Sequence, residues 1–513
     1  MFNPHRSHLG IALIAAGTLA GNSALAVRVN PDGHGQALIY PYYTARSTAS
    51  GNTFVTAFSV TNITGSPKAV RVRILEGKAG REVLDFNLFL AAYDVWTAGI
   101  VPAGTGAGLF SKDNSCTSPQ VGTSPALPLK FRNGAYIGDQ LGDGMDRTYE
   151  GFFEMVEMGV IDVASALGRA VTPVPNHAAP NASRPSCAYL QGNDEVPAGL
   201  SRPTGGLFGN ASFINVNEGT DYSVDAIALS QWSDKVQWSV AGKANPNLSD
   251  ASPAVSLVLD SSDDADLAYV TQWNRGPDAV TALLMVDRVA NDFTVEPWIK
   301  AATDWILTLP TKRFHVSRAL IEPPFKGTPN DGHPPTNDSY YCESTSYQRY
   351  VEPLDYFDRE SQTGSVHLCA PLWECTETRK LCGSASAVTF SENYGSAFAS
   401  RVLHSTAANN IALNGMWING WAGFAVTATG GAAVGSATPV SQLISPLGQT
   451  TIVDTQTGIA RTGQTVTYFG LPIVGFSAQS YSTHGLSGVN PNVLSNYGGQ
   501  FGHKFTRRIE VAP

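Results

Sequence analysis

Residues 53–101 read TFVTAFSVTNITGSPKAVRVRILEGKAGREVLDFNLFLAAYDVWTAGIV, and the run holds three apolar/polar alternations in succession. Phe54, Phe58 and Val60 share one side of the first. Val70, Val72 and Ile74 oppose Arg71 and Arg73 in the second; Leu84, Phe86, Leu88 and Leu90 oppose Asp85 and Asn87 in the third. Successive side chains on a strand point to opposite faces, so each run predicts a strand with one buried and one solvated face. The links at 62–67 and 77–80 are turn-rich and too short for a parallel crossover, which points to an antiparallel meander. One apolar sheet face needs a second layer. The expected class is therefore mainly β, in two or three antiparallel sandwich-like (immunoglobulin-like) modules with long irregular insertions. Trp96 is expected as a core anchor.

Residues 1–26 read as a secretory signal peptide: Arg6, an apolar run from Leu9 to Leu19, then Ala24-Leu25-Ala26 before a cut at Val27. The apolar run is shorter than the roughly 20 residues of a membrane span, and no later segment reaches that length. Removing the leader takes Arg6 and no acid from 33 basic and 42 acidic residues, leaving a formal charge of −10. That balance argues against nucleic acid as a partner. The expected location is extracellular or at the outer cell surface, with the periplasm as the other exported compartment. Low charge, 50 glycines and 31 prolines suit a β-rich exported chain.

Six cysteines, an even number, suggest disulfides in an oxidising compartment. Cys116 and Cys187 flank one irregular region and are expected to pair. Cys342, Cys369, Cys375 and Cys382 are expected to pair among themselves, because the spacing Cys369-x5-Cys375-x6-Cys382 is wider than zinc motifs use.

The organisation reads as a first β module at 27–110 and an irregular insertion at 111–208. Within that insertion, Thr148 to Met158 looks like a strand that rejoins the first sheet. A second β-rich module follows at 209–320, then a Cys/Pro-rich excursion at 321–383 and a C-terminal β-rich part at 384–513. Ala37 to Tyr43 reads as an edge strand, since Pro41 cannot donate to a ladder. Tyr222 to Leu229 reads as one strand after the hairpin turn Asn217-Glu218-Gly219-Thr220. Ala279 to Arg288 fits either a helix or a buried strand.

No nucleophile elbow, His-Glu-x-x-His helix, haem site or phosphate loop is present. Asp260, Asp263, Asp264 and Asp266 form a candidate Ca²⁺ cluster of hard oxygen ligands, against the plainer reading of a solvated loop. Asp139, Asp143 and Asp146 are a second such case. Glu150, Glu154 and Glu157 are candidate carboxylates for glycoside hydrolysis, although alternation with Phe and Met reads more simply as a solvated strand edge. Trp417 and Trp421 suggest a sugar platform, with burial in a core as the plainer alternative.

The segments Glu76-Gly77, Leu84 to Leu88, Tyr93 to Ala98, Thr303 to Trp305, Leu309 to Phe314, Gly470 to Pro472 and Ser495 to Gly499 resemble those of exported proteobacterial proteins of unassigned activity. The resemblance implies a shared exported β architecture and no substrate. The expected function is that of an exported surface or extracellular structural or binding protein without catalysis and without a cofactor. Its expected partners are other surface proteins, polysaccharide or further copies of the chain. A secreted hydrolase acting on polysaccharide and a Ca²⁺-stabilised adhesion or surface-layer component are the alternatives.

Overall fold

The computed structural model describes residues 25–47, 51–139, 141–172, 187, 194–262, 265–317, 322–325, 355–358, 363–365, 383–391, 399–406, 408–413, 418–426, 441–482 and 496–512. Nearly all of the expected leader and most of 321–383 lie outside these residues. The chain is mainly β, 52% strand against 9% helix, which settles the class, and its strands form several antiparallel sheets. Among the described ladders, the pairing of Ala385–Ser391 with Ala408–Ala412 is parallel.

Strands Lys68–Glu76 and Glu82–Leu90 form the expected hairpin, with Val72 opposite Phe86 and Ile74 opposite Leu84. Leu84, Phe86, Leu88 and Leu90 all lie on the strand and are buried. The flanking strands do not extend it as a meander. Val55–Asn62 pairs instead with Val95–Ala103 in a different sheet. The links 63–67 and 91–94 are therefore arches that carry the chain between two sheets. Asn62 ties both arches: its amide donates to the carbonyls of Ser66 (2.9 Å) and Ala91 (2.8 Å), and its Oδ1 accepts from the N–H of Thr64 (3.0 Å). A short turn-rich link serves an arch as well as a hairpin, so the sequence pattern does not separate the two.

The first sheet runs in the order Arg28–Val29, Ile227–Ser230, Ala37–Thr44, Glu150–Ile161, Lys68–Glu76, Glu82–Leu90, Cys116–Ser118. The second runs Thr220–Asp225, Leu207–Asn215, Val55–Asn62, Val95–Ala103, Gly106–Phe110, Leu129–Lys130. The stretch expected as one strand from Tyr222 to Leu229 is cut at Ala226, where the chain leaves the second sheet for the first. Ala37–Thr44 is an interior strand and not an edge. Its ladder to Glu150–Ile161 jumps from Tyr40 opposite Phe153 to Tyr43 opposite Gly151, and Pro41 sits in that bulge, where a missing N–H breaks no regular pairing. The Glu150–Ile161 strand does join this sheet, at its centre.

The two sheets share one core. Phe153 stacks on Tyr40 (4.2 Å between centroids) and touches Phe58 (4.7 Å), while Trp96 lies 5.7 Å from both Phe58 and Phe86. Trp96 is fully buried there, as expected. The first sheet is covered on its other face as well. Ile39, Val156 and Leu229 pack in a second core with Trp232, Tyr269, Tyr468 and the helix Gly276–Leu284. Every residue of Lys68–Glu76 is buried, Arg71 and Arg73 included. The expected solvated face is thus corrected: the segment around 239–247 lies over it, and the carbonyls of Lys243 and Pro246 accept from Arg71 and Arg73. A third core joins two five-stranded sheets, one centred on Asn419–Ala425 and one on Ala302–Thr308, with Phe293 stacked on Phe390 at 5.1 Å.

Gly151 marks the tightest backbone approach in the central strand. A Cβ there would lie 2.0 Å from the Leu75 carbonyl oxygen and 2.9 Å from the Tyr43 ring. Gly151→Ala should therefore destabilise the protein by about 1–3 kcal/mol, as overpacking against backbone does. Chemical denaturation checks this; a midpoint equal to that of the parent would contradict the packing described.

Candidate functional site

The central strand Glu150–Ile161 places three acids along its length, and each is buried rather than solvated as the alternation suggested. A carboxylate removed from water needs a counter-charge and hydrogen bonds. Each has a counter-charge from a different part of the chain, although Glu154 Oε2 has no hydrogen-bond partner among the described residues. Glu157 meets Lys68 Nζ at 2.7 Å with both side chains fully buried, and the N–H groups of Thr204 (3.1 Å) and Gly205 (2.7 Å) also donate to it. Glu154 receives Arg313 Nη2 at 2.7 Å. Glu150 receives Arg46 Nη2 (2.7 Å), the Tyr42 hydroxyl (2.9 Å), and the N–H (3.1 Å) and hydroxyl (2.7 Å) of Thr406.

Neighbouring charges follow the same pattern. Arg71 pairs with Asp85 and donates to Asn87 Oδ1 at 2.8 Å, and Arg73 pairs with Glu82. Arg147 bridges Glu76 (Nε to Oε2, 3.2 Å) and Asp139 (2.7 Å) and lies over the Tyr136 ring at 4.0 Å. Asp304, fully buried, accepts the N–H groups of Arg401 (3.1 Å), Val402 (2.9 Å) and Leu403 (2.8 Å). The segment 401–406 is thereby held by two carboxylates, Asp304 and Glu150, that belong to different sheets.

These surroundings pull the acids apart in strength. Burial raises the Glu150 carboxyl, but Arg46 and the hydroxyls of Ser405, Thr406 and Tyr42 outweigh it and hold the group below its ordinary value. At Glu157 burial wins over Lys68 and the two backbone donors, and the carboxyl is raised. Burial also brings Arg71 down to about 10, with Asp85 partly offsetting it.

One arrangement has the order of a nucleophile and its base. Thr281 Oγ1 lies 2.8 Å from His315 Nε2, and His315 Nδ1 lies 3.9 Å from Asp278 Oδ1. Thr281 is fully buried and donates to Thr311 Oγ1 at 2.9 Å, while burial lowers His315 to about 4 and keeps the ring neutral. The group packs the helix Gly276–Leu284 against Lys312–His315, with no substrate access to the hydroxyl. Thr281, Thr311 and His315 are scattered through the sequence without a motif, so the pattern gave no sign of them.

The candidate residues fall in separate places. Asp260 and Asp266 lie on the two strands of the hairpin Val255–Ser262 and Ala265–Gln272. Asp260 is opposite Leu267 and Asp266 opposite Ser261, so their side chains leave opposite faces. Asp263 and Asp264 lie outside the described residues, and among the described residues no group of three or more His, Cys, Asp or Glu is placed to hold a metal ion. Asp139 serves Arg147, and Asp143 accepts the N–H of Gly138 at 2.6 Å. Cys116 and Cys187 stand at disulfide distance, 1.93 Å. Cys342, Cys369, Cys375, Cys382 and Trp417 lie outside the described residues. Trp421 is not a core residue: it is exposed and stacks on Phe357 at 4.3 Å.

No family model, curated protein or solved structure matches the chain.

Removing Lys68 while leaving Glu157 strands a buried charge. Lys68→Met should cost about 3–5 kcal/mol, and adding Glu157→Leu should recover most of it. Equilibrium denaturation of the two variants checks this; a single variant as stable as the parent would contradict it. Glu150 gives a pH dependence of known sign. Its folded value lies below the ordinary 4.5, so its ion pair adds stability above that value, which is lost as pH falls from about 4.5 through the folded value. Glu157, being raised, works in the opposite sense, its contribution falling as pH rises through its folded value. Glu150→Gln should therefore flatten the acid limb of a Tm against pH curve; a limb as steep as the parent's would contradict the assignment.

Proposed function

We propose that the chain is an exported protein of the outer surface or the extracellular space that binds or builds and does not catalyse. The observation that carries this reading is the engagement of all three glutamates of the central strand. Glycoside hydrolysis needs a pair of carboxyl groups facing a cleft, one of them free to give a proton and the other to act as base or nucleophile. Glu150, Glu154 and Glu157 are each neutralised by a cation and buried in a layer interior. They support a scaffold.

The first two sheets, meeting on one core, support a sandwich-like reading of the front of the molecule. The leader-like residues 1–26 and the Cys116–Cys187 pair support export through an oxidising compartment. The partners proposed are polysaccharide, other surface proteins or copies of the chain.

The test is to fractionate source cells and to incubate the purified protein with soluble polysaccharides. The expected outcome is protein in the surface or extracellular fraction and no new reducing ends. Protein confined to the cytoplasm, or steady release of reducing ends, would overturn the proposal. A Ca²⁺-stabilised adhesion would show as a Tm that falls with chelator and returns with Ca²⁺.

A further inference from the structure

We propose that the outer face of the second sheet is a contact surface for a second copy of this chain, the two copies lying face to face about a two-fold axis that runs along the strands. The inference deepens the reading of the protein as one that binds or builds, by naming the partner and the surface.

The ladder defines the face. Along Val55–Asn62, Val95–Ala103 and Leu207–Asn215, every second side chain points away from the shared core, and the register sets Phe208, Thr61 and Val95 side by side in one such row. Phe208 is 38% and Val95 47% exposed, and Asn210 and Thr97 of the next row are exposed too. Among the described residues no layer covers this side. Just beyond the first row the two arches present Ile63 and Tyr93, both exposed. Ile63 N–H bonds to the Gly206 carbonyl (3.0 Å) and Tyr93 N–H to the Thr64 carbonyl (3.0 Å), while Asn62 ties the arches to each other. This end of the sheet is therefore apolar and firmly held.

Charge identifies the occupant. The six strands hold three charged residues: Asp221 and Asp225 on one edge strand and Lys130 on the other. All three are exposed, and among the described residues none is in an ion pair. Asp221 is opposite Ile214 and Ile214 opposite Val55; Lys130 is opposite Gly108 and Gly108 opposite Val101. Thr56 is opposite Ile100, so Val55 and Val101 adjoin, and the acid and the lysine close the same row from its two ends. A two-fold axis along the strands, between Val55–Asn62 and Val95–Ala103, exchanges the two edges and keeps each row in place. It lays Asp221 of each copy against Lys130 of the other, and Thr61 against Val95. An axis across the strands would set one acidic edge on the other, which repels. A strongly charged partner finds nothing to pair with over the four middle strands. A second copy matches both the uncharged centre and the two edges.

Area sets the strength. Strands lie about 4.8 Å apart and rise about 3.3 Å per residue, so a six-stranded face as long as Val55–Asn62 measures about 25 by 25 Å, roughly 600 Å² in each copy. Two such faces stack about 10 Å apart with their strands about 30° from aligned. The total of roughly 1,200 Å² stands at the lower end of specific interfaces, so the dimer is reversible.

The experiment is sedimentation velocity of the whole protein over a concentration series, from well below micromolar to several hundred micromolar, at low and at high salt. The expected result is a reversible monomer–dimer equilibrium that weakens with salt. Val95→Arg should weaken it tenfold or more. Asp221→Lys and Lys130→Asp should each weaken it severalfold, and the Asp221→Lys/Lys130→Asp variant should regain the parental dissociation constant. These positions are exposed, so each variant should keep the parental Tm, which separates loss of the contact from loss of the fold. A monomer at every concentration, a dimer indifferent to Val95→Arg, or charge reversals that the double variant does not rescue would overturn the proposal. So would a monomer that binds soluble polysaccharide through Val95 and Phe208, which would assign the face to a glycan. Cell fractionation and reducing-end release are read separately: protein confined to the cytoplasm would sink the exported reading and leave the dimer to stand.

Discussion

The first sheet loses water from both faces, and the rest of the structure is arranged to meet the cost of that desolvation. One face lies on the aromatic core shared with the second sheet; the other lies under a helix, two smaller sheets and the 239–247 segment. A carboxylate or guanidinium caught between such layers loses several kcal/mol of hydration, and an isolated one would not remain charged. Each charged group in the middle of this sheet accordingly has an opposite charge or several hydrogen bonds. The pairs are more a requirement of double burial than a surplus of stability.

The partners come from far away in the chain, which gives the pairs a second consequence. Glu150 reaches Thr406, Glu154 reaches Arg313, Glu157 reaches Thr204 and Gly205, and Arg73 reaches Pro246. Misplacing any of these segments would leave a buried charge unpaired, so the network discriminates against wrong packings of the later chain on the early sheets. A scaffold locked in this way holds its outer surfaces still.

Much of this is legible in residues 53–101 and 148–158. The parity of Leu84, Phe86, Leu88 and Leu90, the facing of Phe153 and Met155 against Glu154 and Val156, and Trp96 in the core all follow from the two-residue repeat. Other features are not. The repeat reports which side of a strand is polar, and it cannot say whether that side meets water or buried counter-charges. For that reason the repeat alone predicts water around Arg71, Arg73 and the three glutamates, which the structure buries. The arches at 63–67 and 91–94 use the same turn residues as hairpins, and Pro41 marks a bulge as readily as an edge. Trp421 stands in a glycine-rich stretch that draws notice in the sequence, whereas Trp298 lies beside a proline in a turn without any such mark. Ion pairs such as Arg313 with Glu154 join residues separated by 159 positions and leave no local trace.

Hydrogen exchange followed by mass spectrometry at peptide resolution tests the central claim most directly. If the doubly covered strand holds the structure together, the amides of Glu150–Ile161 exchange last of all, at the rate of global unfolding, and those of the exposed edge strand Ala460–Gln464 exchange early. Exchange of the central strand through local opening, ahead of strands covered on one face only, would contradict the account.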